Sequence, residues 1–385
     1  MTKTLQITGD SSYGGAGYLL LRWCRYLLAK GWEVDILATD PYWVSELKKV
    51  PNLRVIDDIY IPRNISVVND VRALNKLVNL IHREQYEVVH TYTATPGFIG
   101  RMAARLAGAP IILHHQAGWT VTEFSSIWAR LVYTPLEYLA TLASTKDICV
   151  SYAVEKQARS LHIAPLRKLV VVCNGVDPQP FITATRGKAN DELKSMYGIP
   201  EDYLVIGNTG RLSAQKDNTT LIKAIPALKL LLQDTPFIVL LAGDGPERSV
   251  LEDLIISLGL EEQVRLIGFV TDIPSFLGGI DIFVSPSLWE GLSISVLEAM
   301  AAAKPIVTTT ILPNAELIEH EKTGLLVPPK SPEQVAQAIG RFVQEPQLAH
   351  DCAFAARQKV LEKYTIERMF QETLDLYLET FDGHS

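Results

Sequence analysis

The residues of this chain best suited to chemistry are two carboxylates and two cations. In "SLWEGLSISVLEAM", Glu290 stands beside Trp289 and ahead of Gly291, and Glu298 lies seven intervening residues later, inside an apolar run. In "NTGRLSAQKDNTTLIKAI", Arg211 and Lys216 bracket a short polar loop that Asp217 or Asn218 can cap into a helix. A guanidinium fork and an ammonium point charge beside a helix start suit a pyrophosphate. The free N–H groups of Leu292 to Ser295 add a second positive helix end. Two readings stand for Glu298. Ser295-x-x-Glu298 fits a capping box, in which the glutamate closes its own helix; a helix that starts nearer Ser293 leaves Glu298 free for a ligand. Glu290 has no comparable structural assignment.

Weaker candidates surround these. "GDSSYGGAGYLLLRW" places Gly14 and Gly15 where backbone N–H groups can approach an anion. Its spacing is not G-x-G-x-x-G, so a plain tight turn is an equal reading. His90 and the pair His114 and His115 fall at the carboxyl ends of apolar runs, positions that suit a catalytic or substrate role as well as a structural one. Trp119 and Phe124, after "HHQAG", offer either an apolar platform or buried packing. "LAGDGPER" reads as a structural turn, with Pro246 starting a helix.

Elements must position these groups. "KTLQIT", "EVDILAT", "EVVHTY", "APIILHH" and "DICVSY" have the length and β-branched content of strands, and amphipathic stretches such as "VVNDVRALNKLVNLIHRE" lie between them. A second series, "YLVIGNTG", "FIVLLAGDG", "QVRLIGF", "DIFVSPS" and "KPIVTTT", follows a polar segment near Asp177 to Lys188. Strand and helix in regular alternation predict α/β architecture with parallel sheets. Two such halves predict ligand binding at the carboxyl ends of the strands, in a cleft between them. The final helical pattern, about Ile366 to Phe381, fits either half.

Composition excludes several classes. The 385 residues are 48% hydrophobic and 21% charged, which is globular usage. The 36 basic and 43 acidic side chains leave a net charge of −7, so no nucleic-acid partner is expected. Cys24, Cys149, Cys173 and Cys352 form no Cys-x-x-Cys pair, which suits reduced thiols in a cytoplasmic protein. "MTKTLQITGD" lacks the apolar stretch of a signal peptide. "LLLRWCRYLLAK", with Arg22, Arg25 and Lys30, permits peripheral contact with an anionic membrane, although a helix packed on the sheet with snorkelling cations is the plainer reading.

"EGLSISVLEAMAAAKPIV" resembles the Glu-x7-Glu signature of retaining family 4 (group 1) glycosyltransferases, which have two facing Rossmann-like domains, the GT-B fold. "GGAGYLLLRWCRYLLAKGWEV", "VVHTYTATPGFIGRMAARLAG", "VCNGVD", "GRLSAQKD", "EKTGLLVPPKSPEQVAQAI" and "KYTIERM" extend the resemblance over roughly the whole chain. It implies an acceptor-binding domain over residues 1–180, a nucleotide-sugar domain over 181–364, and a helix over 365–385 that returns to the first domain. By the same resemblance Arg211 and Lys216 hold the diphosphate of the donor and Glu298 the ribose. Glu290 and the amides of Gly291, Leu292, Ser293 and Ile294 grip the sugar, Val270 lies against the base, and Gly15 approaches the diphosphate. Catalysis would rest on Arg211, Lys216, Glu290 and His115, and His90, His115 and Trp119 would face the acceptor.

Two departures stand on the acceptor side. The family's His-Gly pair is Ala117-Gly118 here, so either His115 substitutes from upstream or the chemistry manages without that group, and the second histidine of its usual His-x-His is Tyr92. No Asp-x-Asp tripeptide is present, so neither metal nor other cofactor is expected. The implied partners are a nucleotide-diphosphate sugar, with uridine preferred over guanosine, and a glycan, lipid-linked or small-molecule acceptor. A sugar-nucleotide epimerase and a non-catalytic nucleotide-sugar binder, the latter suggested by Ala117, are the alternatives.

Overall fold

The computed structural model describes residues 2–9, 15–62, 66–121, 126–185 and 188–382. The chain divides into two compact units, residues 1–173 with 369–385, and residues 174–368. The division lies at Asn174, earlier than the boundary near residue 180 implied by resemblance. The reason is local pairing: Val176 N donates to Tyr364 O at 2.9 Å, and Ile366 N donates to Val176 O at 3.0 Å. Those two bonds also hold Thr365 and Ile366 in the second unit.

The first unit is a parallel sheet of seven strands: β1 (Lys3–Gly9), β2 (Glu33–Ala38), β3 (Leu53–Ile56), β4 (Val88–Tyr92), β5 (Ile111–Gln116), β6 (Lys146–Cys149) and β7 (Leu169–Val171). Their order is β3-β2-β1-β4-β5-β6-β7. Leu5, Ile7, Leu37 and Val89 pack with Leu77, Ile81, Ala103 and Ala104 from the helices Val67–Glu84 and Ala94–Ala107. The helix Gly15–Ala29 buries Leu19, Leu20, Leu21, Trp23, Cys24 and Leu27. Its apolar residues are therefore core, and the membrane reading of "LLLRWCRYLLAK" is set aside. The end of the helix Ile366–Asp382 belongs to this unit, where Tyr377 meets Trp23 edge-on at 5.6 Å and Phe370 lies 5.4 Å from Trp23.

The second unit is a parallel sheet of six strands: β8 (Leu204–Thr209), β9 (Phe237–Ala242), β10 (Val264–Gly268), β11 (Ile282–Ser285), β12 (Ile306–Thr309) and β13 (Leu325–Val327). Their order is β10-β9-β8-β11-β12-β13. Every residue of β9 and β11 is buried, as expected where helices cover both faces. The chain progresses outward from β8 in one direction and then from β11 in the other. Such a reversal opens the loops after its two central strands toward each other. Those loops carry Arg211 and Lys216 after β8 and Glu290 after β11, with Glu298 in the helix Ile294–Ala301 that follows.

Candidate functional site

The loop after β8 is braced on glycines. Gly210 N donates to Ala242 O at 2.9 Å, and Gly243 N donates to Gly268 O at 2.7 Å. A Cβ on Gly243 would stand 1.8 Å from Gly210 O, and one on Gly245 would stand 2.3 Å from Leu212 O. Leu212 N donates to Asp244 O and Glu247 N donates to Leu212 O. The "GDG" turn thus props up the segment that carries Arg211. The following helix is Arg248–Ser257, two residues later than Pro246 suggested. Asp217 does occupy the cap position of the helix Asn218–Leu231, and its carboxylate accepts from Thr220 Oγ1 at 2.6 Å.

Arg211 is exposed, and its guanidinium has no hydrogen-bond or ion-pair partner among the described residues. Lys216 differs. Its Nζ lies 2.6 Å from Glu290 Oε1, with side chains only 14% and 8% exposed. Gln215 Nε2 donates to Glu290 Oε2 at 3.2 Å and to Trp289 O at 2.9 Å, and Leu288 N donates to Gln215 O at 2.8 Å. Glu290 therefore has structural partners after all. It is half of an ion pair that ties two loops 74 positions apart. Gln215 escaped the sequence reading; its only signal is its place beside Lys216.

The helix after β11 spans Ile294–Ala301 with Ser293 at its N-cap, and no side chain caps its free amides. Ser293 Oγ instead meets Ser295 Oγ at 3.1 Å. With the helix starting at Ser293, Ser295-x-x-Glu298 cannot close as a capping box. Of the two readings of Glu298, the free carboxylate holds. It lies a turn inside the helix, close enough to Lys216 to feel its charge, with no hydrogen-bond partner among the described residues. Asn174, from the "VCNGVD" segment, donates through Nδ2 to Leu292 O at 3.5 Å, and its Oδ1 is buried without a partner. Val270 is half-buried just beyond the end of β10 at the far edge of this sheet, with Phe269 exposed beside it. The second unit thus gathers Arg211, Lys216, Glu290, Gly291, Leu292, Ser293, Ile294 and Glu298 at one end of its central strands.

Burial raises the Glu298 carboxyl from 4.5 to about 7, with the Lys216 ammonium opposing the rise. A carboxyl whose folded value lies above its unfolded one retains a proton that the unfolded chain releases, so stability is lost as pH rises across that window. The contribution expected from this group is a melting temperature that falls between about pH 5 and about pH 8, opposed by His90 and His114, whose burial holds their imidazoles below the usual range and whose contribution is lost as pH falls. In Glu298→Gln the decline over the same range is smaller, as a calorimetric pH series would show.

The first unit distributes its candidates less favourably. His90 lies inside β4, 1% exposed, with Nδ1 2.6 Å from Tyr377 OH and its ring stacked on Tyr92 at 4.5 Å. Burial holds its imidazole well below the usual histidine range. The last helix covers this face of the sheet, so His90 is a neutral core residue and not an acceptor contact. His114 is buried, paired with Thr91 Oγ1 at 2.9 Å, and packed against Gly97, where a Cβ would stand 2.4 Å from its ring. His115 is half-buried on the same side as Tyr92, 5.5 Å between ring centres. Trp119 is buried and donates to Val154 O at 2.9 Å, which makes it framework and not an open platform. Ala117 is exposed beyond the end of β5. Gly15 opens the helix Gly15–Ala29 and is exposed; Gly14 and Phe124 lie outside the described residues.

Thr93, unremarked by the sequence, sits at the N-cap after β4 with φ +62°. A β-branched residue there stores about 1–3 kcal/mol of strain. It stands at this sheet's own reversal point, between β1 and β4.

The model of glycosyltransferase family 4 matches residues 13–180, and that of glycosyl transferases group 1 matches residues 189–359. The chain is 30% identical to the UDP-Gal:alpha-D-GlcNAc-diphosphoundecaprenol alpha-1,3-galactosyltransferase of Escherichia coli, over 90% of this chain and 92% of the relative. It is 24% identical to the capsular polysaccharide biosynthesis glycosyltransferase CapM of Staphylococcus aureus, over 92% and 91%. Among solved structures, Anabaena HepE in complex with UDP-glucose superposes with a TM-score of 0.82 at 21% identity, over 100% of both chains. A glycosyltransferase from Rickettsia africae also gives 0.82 at 21% identity, over 99% and 98%. At that identity the structural likeness shows the fold.

Proposed function

The chain belongs to the group 1, family 4 glycosyltransferases, and from that premise we propose that it moves a hexose from a uridine-diphosphate sugar to a lipid-linked or other glycan acceptor with retention of configuration and without a metal. The observation that carries the reading is the unpartnered Arg211 beside the Lys216–Glu290 pair, opposite an uncapped helix end in the region that matches the group 1 model. Departure of a nucleoside diphosphate develops negative charge on its phosphate oxygens. Preorganised cations and helix dipoles stabilise such charge. Arg211 would meet the diphosphate directly. Lys216 would exchange its bond to Glu290 for a phosphate oxygen, which frees the Glu290 carboxylate to accept from the sugar hydroxyls. The amides of Gly291 to Ile294 would hold the same sugar, Glu298 the ribose diol and Val270 the base.

Retention follows if the acceptor hydroxyl enters on the face from which the phosphate leaves, with that phosphate taking the proton. No strong general base is then required. The charge stabilisation is assigned to Arg211, Lys216 and the uncapped helix end. The names of relatives support uridine as the nucleotide, since the Escherichia coli enzyme uses UDP-Gal and Anabaena HepE binds UDP-glucose. The former acts on a diphosphoundecaprenol-linked sugar, which favours a lipid-linked acceptor in glycoconjugate synthesis.

Donor turnover tests the reading. Incubated with UDP-galactose or UDP-glucose and a short-chain GlcNAc-diphospholipid, the protein is expected to consume donor only when acceptor is present, and proton NMR is expected to show an α-anomeric product. A β product contradicts retention. Conversion without acceptor supports an epimerase, and binding without turnover supports a non-catalytic nucleotide-sugar binder.

A further inference from the structure

The helix Ile127–Ala143, in the first unit, is amphipathic the wrong way round for a water-facing helix. Its only acidic and basic residues are Arg130 and Glu137, and Glu137 points inward, accepting from Thr120 Oγ1 at 2.6 Å and lying 3.9 Å from the buried Arg101 guanidinium. The outward side is apolar: Trp128, Leu131, Val132, Leu139 and Leu142 recur at helical spacing and are 75%, 60%, 56%, 55% and 40% exposed. Scattered exposed apolar residues need no explanation, but a continuous stripe about 21 Å long does.

The stripe ends in a cluster of cations. Lys168 Nζ donates to Leu142 O at 2.7 Å, and Lys146 Nζ donates to Arg167 O at 3.0 Å. Arg105, Lys146 and Arg167 all lie close enough to repel the Lys168 ammonium. The guanidinium groups of Arg105 and Arg167 are exposed, with no ion-pair partner among the described residues, and Leu106 and Leu166 are exposed next to them. In a chain of net charge −7, four cations against one apolar helix end run counter to the overall sign.

We propose that this face docks the protein on an anionic lipid surface, with the helix lying in the plane of the interface. Acyl chains would take the apolar stripe and headgroup phosphates the cations, the arrangement expected of an interfacial helix. No helix among the described residues is long and apolar enough to cross a membrane, so the contact is peripheral. The inference rests on this face alone and is independent of the donor-site reading; nucleotide binding reports on the latter separately.

Vesicle flotation of the full chain tests it, with vesicles of about 30% phosphatidylglycerol in phosphatidylcholine and with phosphatidylcholine alone. The wild type is expected to float with the anionic vesicles and much less with the neutral ones, and about 0.5 M salt is expected to weaken the binding. The combined change Trp128→Ser, Leu131→Ser, Leu139→Ser is expected to reduce the bound fraction more than about tenfold, with no loss of melting temperature because these side chains are exposed. Arg105→Gln with Arg167→Gln is expected to remove the preference for anionic vesicles. A wild type that stays unbound, or a triple variant that floats equally well, overturns the proposal. So does a chain that ignores vesicles but forms a dimer that the triple variant dissolves, since the occupant is then a second copy.

Discussion

Arg211→Ala is expected to lower kcat/KM by about a hundredfold to a thousandfold while leaving the melting temperature of the unliganded protein unchanged. The two halves of this result come from one observation. The guanidinium is exposed and bonded to nothing among the described residues, so its loss breaks no native contact. A loss of activity would then report on what it does to a ligand. Lys216 is the poorer test although it carries the same charge. Its removal leaves the Glu290 carboxylate, 8% exposed, without its ammonium partner at 2.6 Å, and an unpaired buried charge is costly in itself. Loss of activity in Lys216→Ala would mix folding with chemistry; loss in Arg211→Ala would not.

The largest effect on stability is expected at Gly243→Ala. Gly243 has φ +151°, and its added methyl would meet a backbone carbonyl, Gly210 O, at 1.8 Å. Neither atom can retreat cheaply, because Gly210 N and Gly243 N are both bonded to neighbouring strand ends. A cost of about 3 kcal/mol or more follows, enough to lower the melting temperature by about 10 °C. Gly198→Ala provides the control. Gly198 also has positive φ, +59°, but open space where its methyl would go, so it is expected to cost only about 1 kcal/mol. Equal losses at the two sites in denaturant melts would show that backbone strain alone, and not the close approach under the Arg211 loop, governs this turn.

Much of this architecture could be read from residue patterns. The apolar runs that became β1, β2, β4 to β6 and β8 to β12 register in the sequence, and "VVNDVRALNKLVNLIHRE" coincides with the helix Val67–Glu84. The strands β7 and β13 have only three residues, too few for a period to emerge, and β3, Leu53–Ile56, is interrupted by the charged Arg54. The start of the helix at Ser293 removes the capping-box reading of Glu298, because cap geometry turns on a shift of two positions. Pairings between distant segments were illegible. Nothing in "VVHTY" reveals that Tyr377, 287 positions later, covers His90. Nor does either loop reveal that Lys216 and Glu290 meet; that follows from β8 and β11 being neighbours in the sheet. The apolar stripe of Ile127–Ala143 was hidden for the converse reason. Apolar residues at helical spacing look like core until the structure shows nothing packed against them.

The account depends most on a nucleotide-diphosphate site at the end of β8 and β11. Its most direct test is a thermal-shift panel of UDP, GDP and ADP on wild type and Arg211→Ala. A ligand at 100 times its dissociation constant adds about 2.7 kcal/mol of stability. The account predicts that UDP raises the wild-type melting temperature and fails to raise that of Arg211→Ala at the same concentration. If UDP stabilises both proteins equally, Arg211 does not hold the diphosphate and the assignment of the site is wrong.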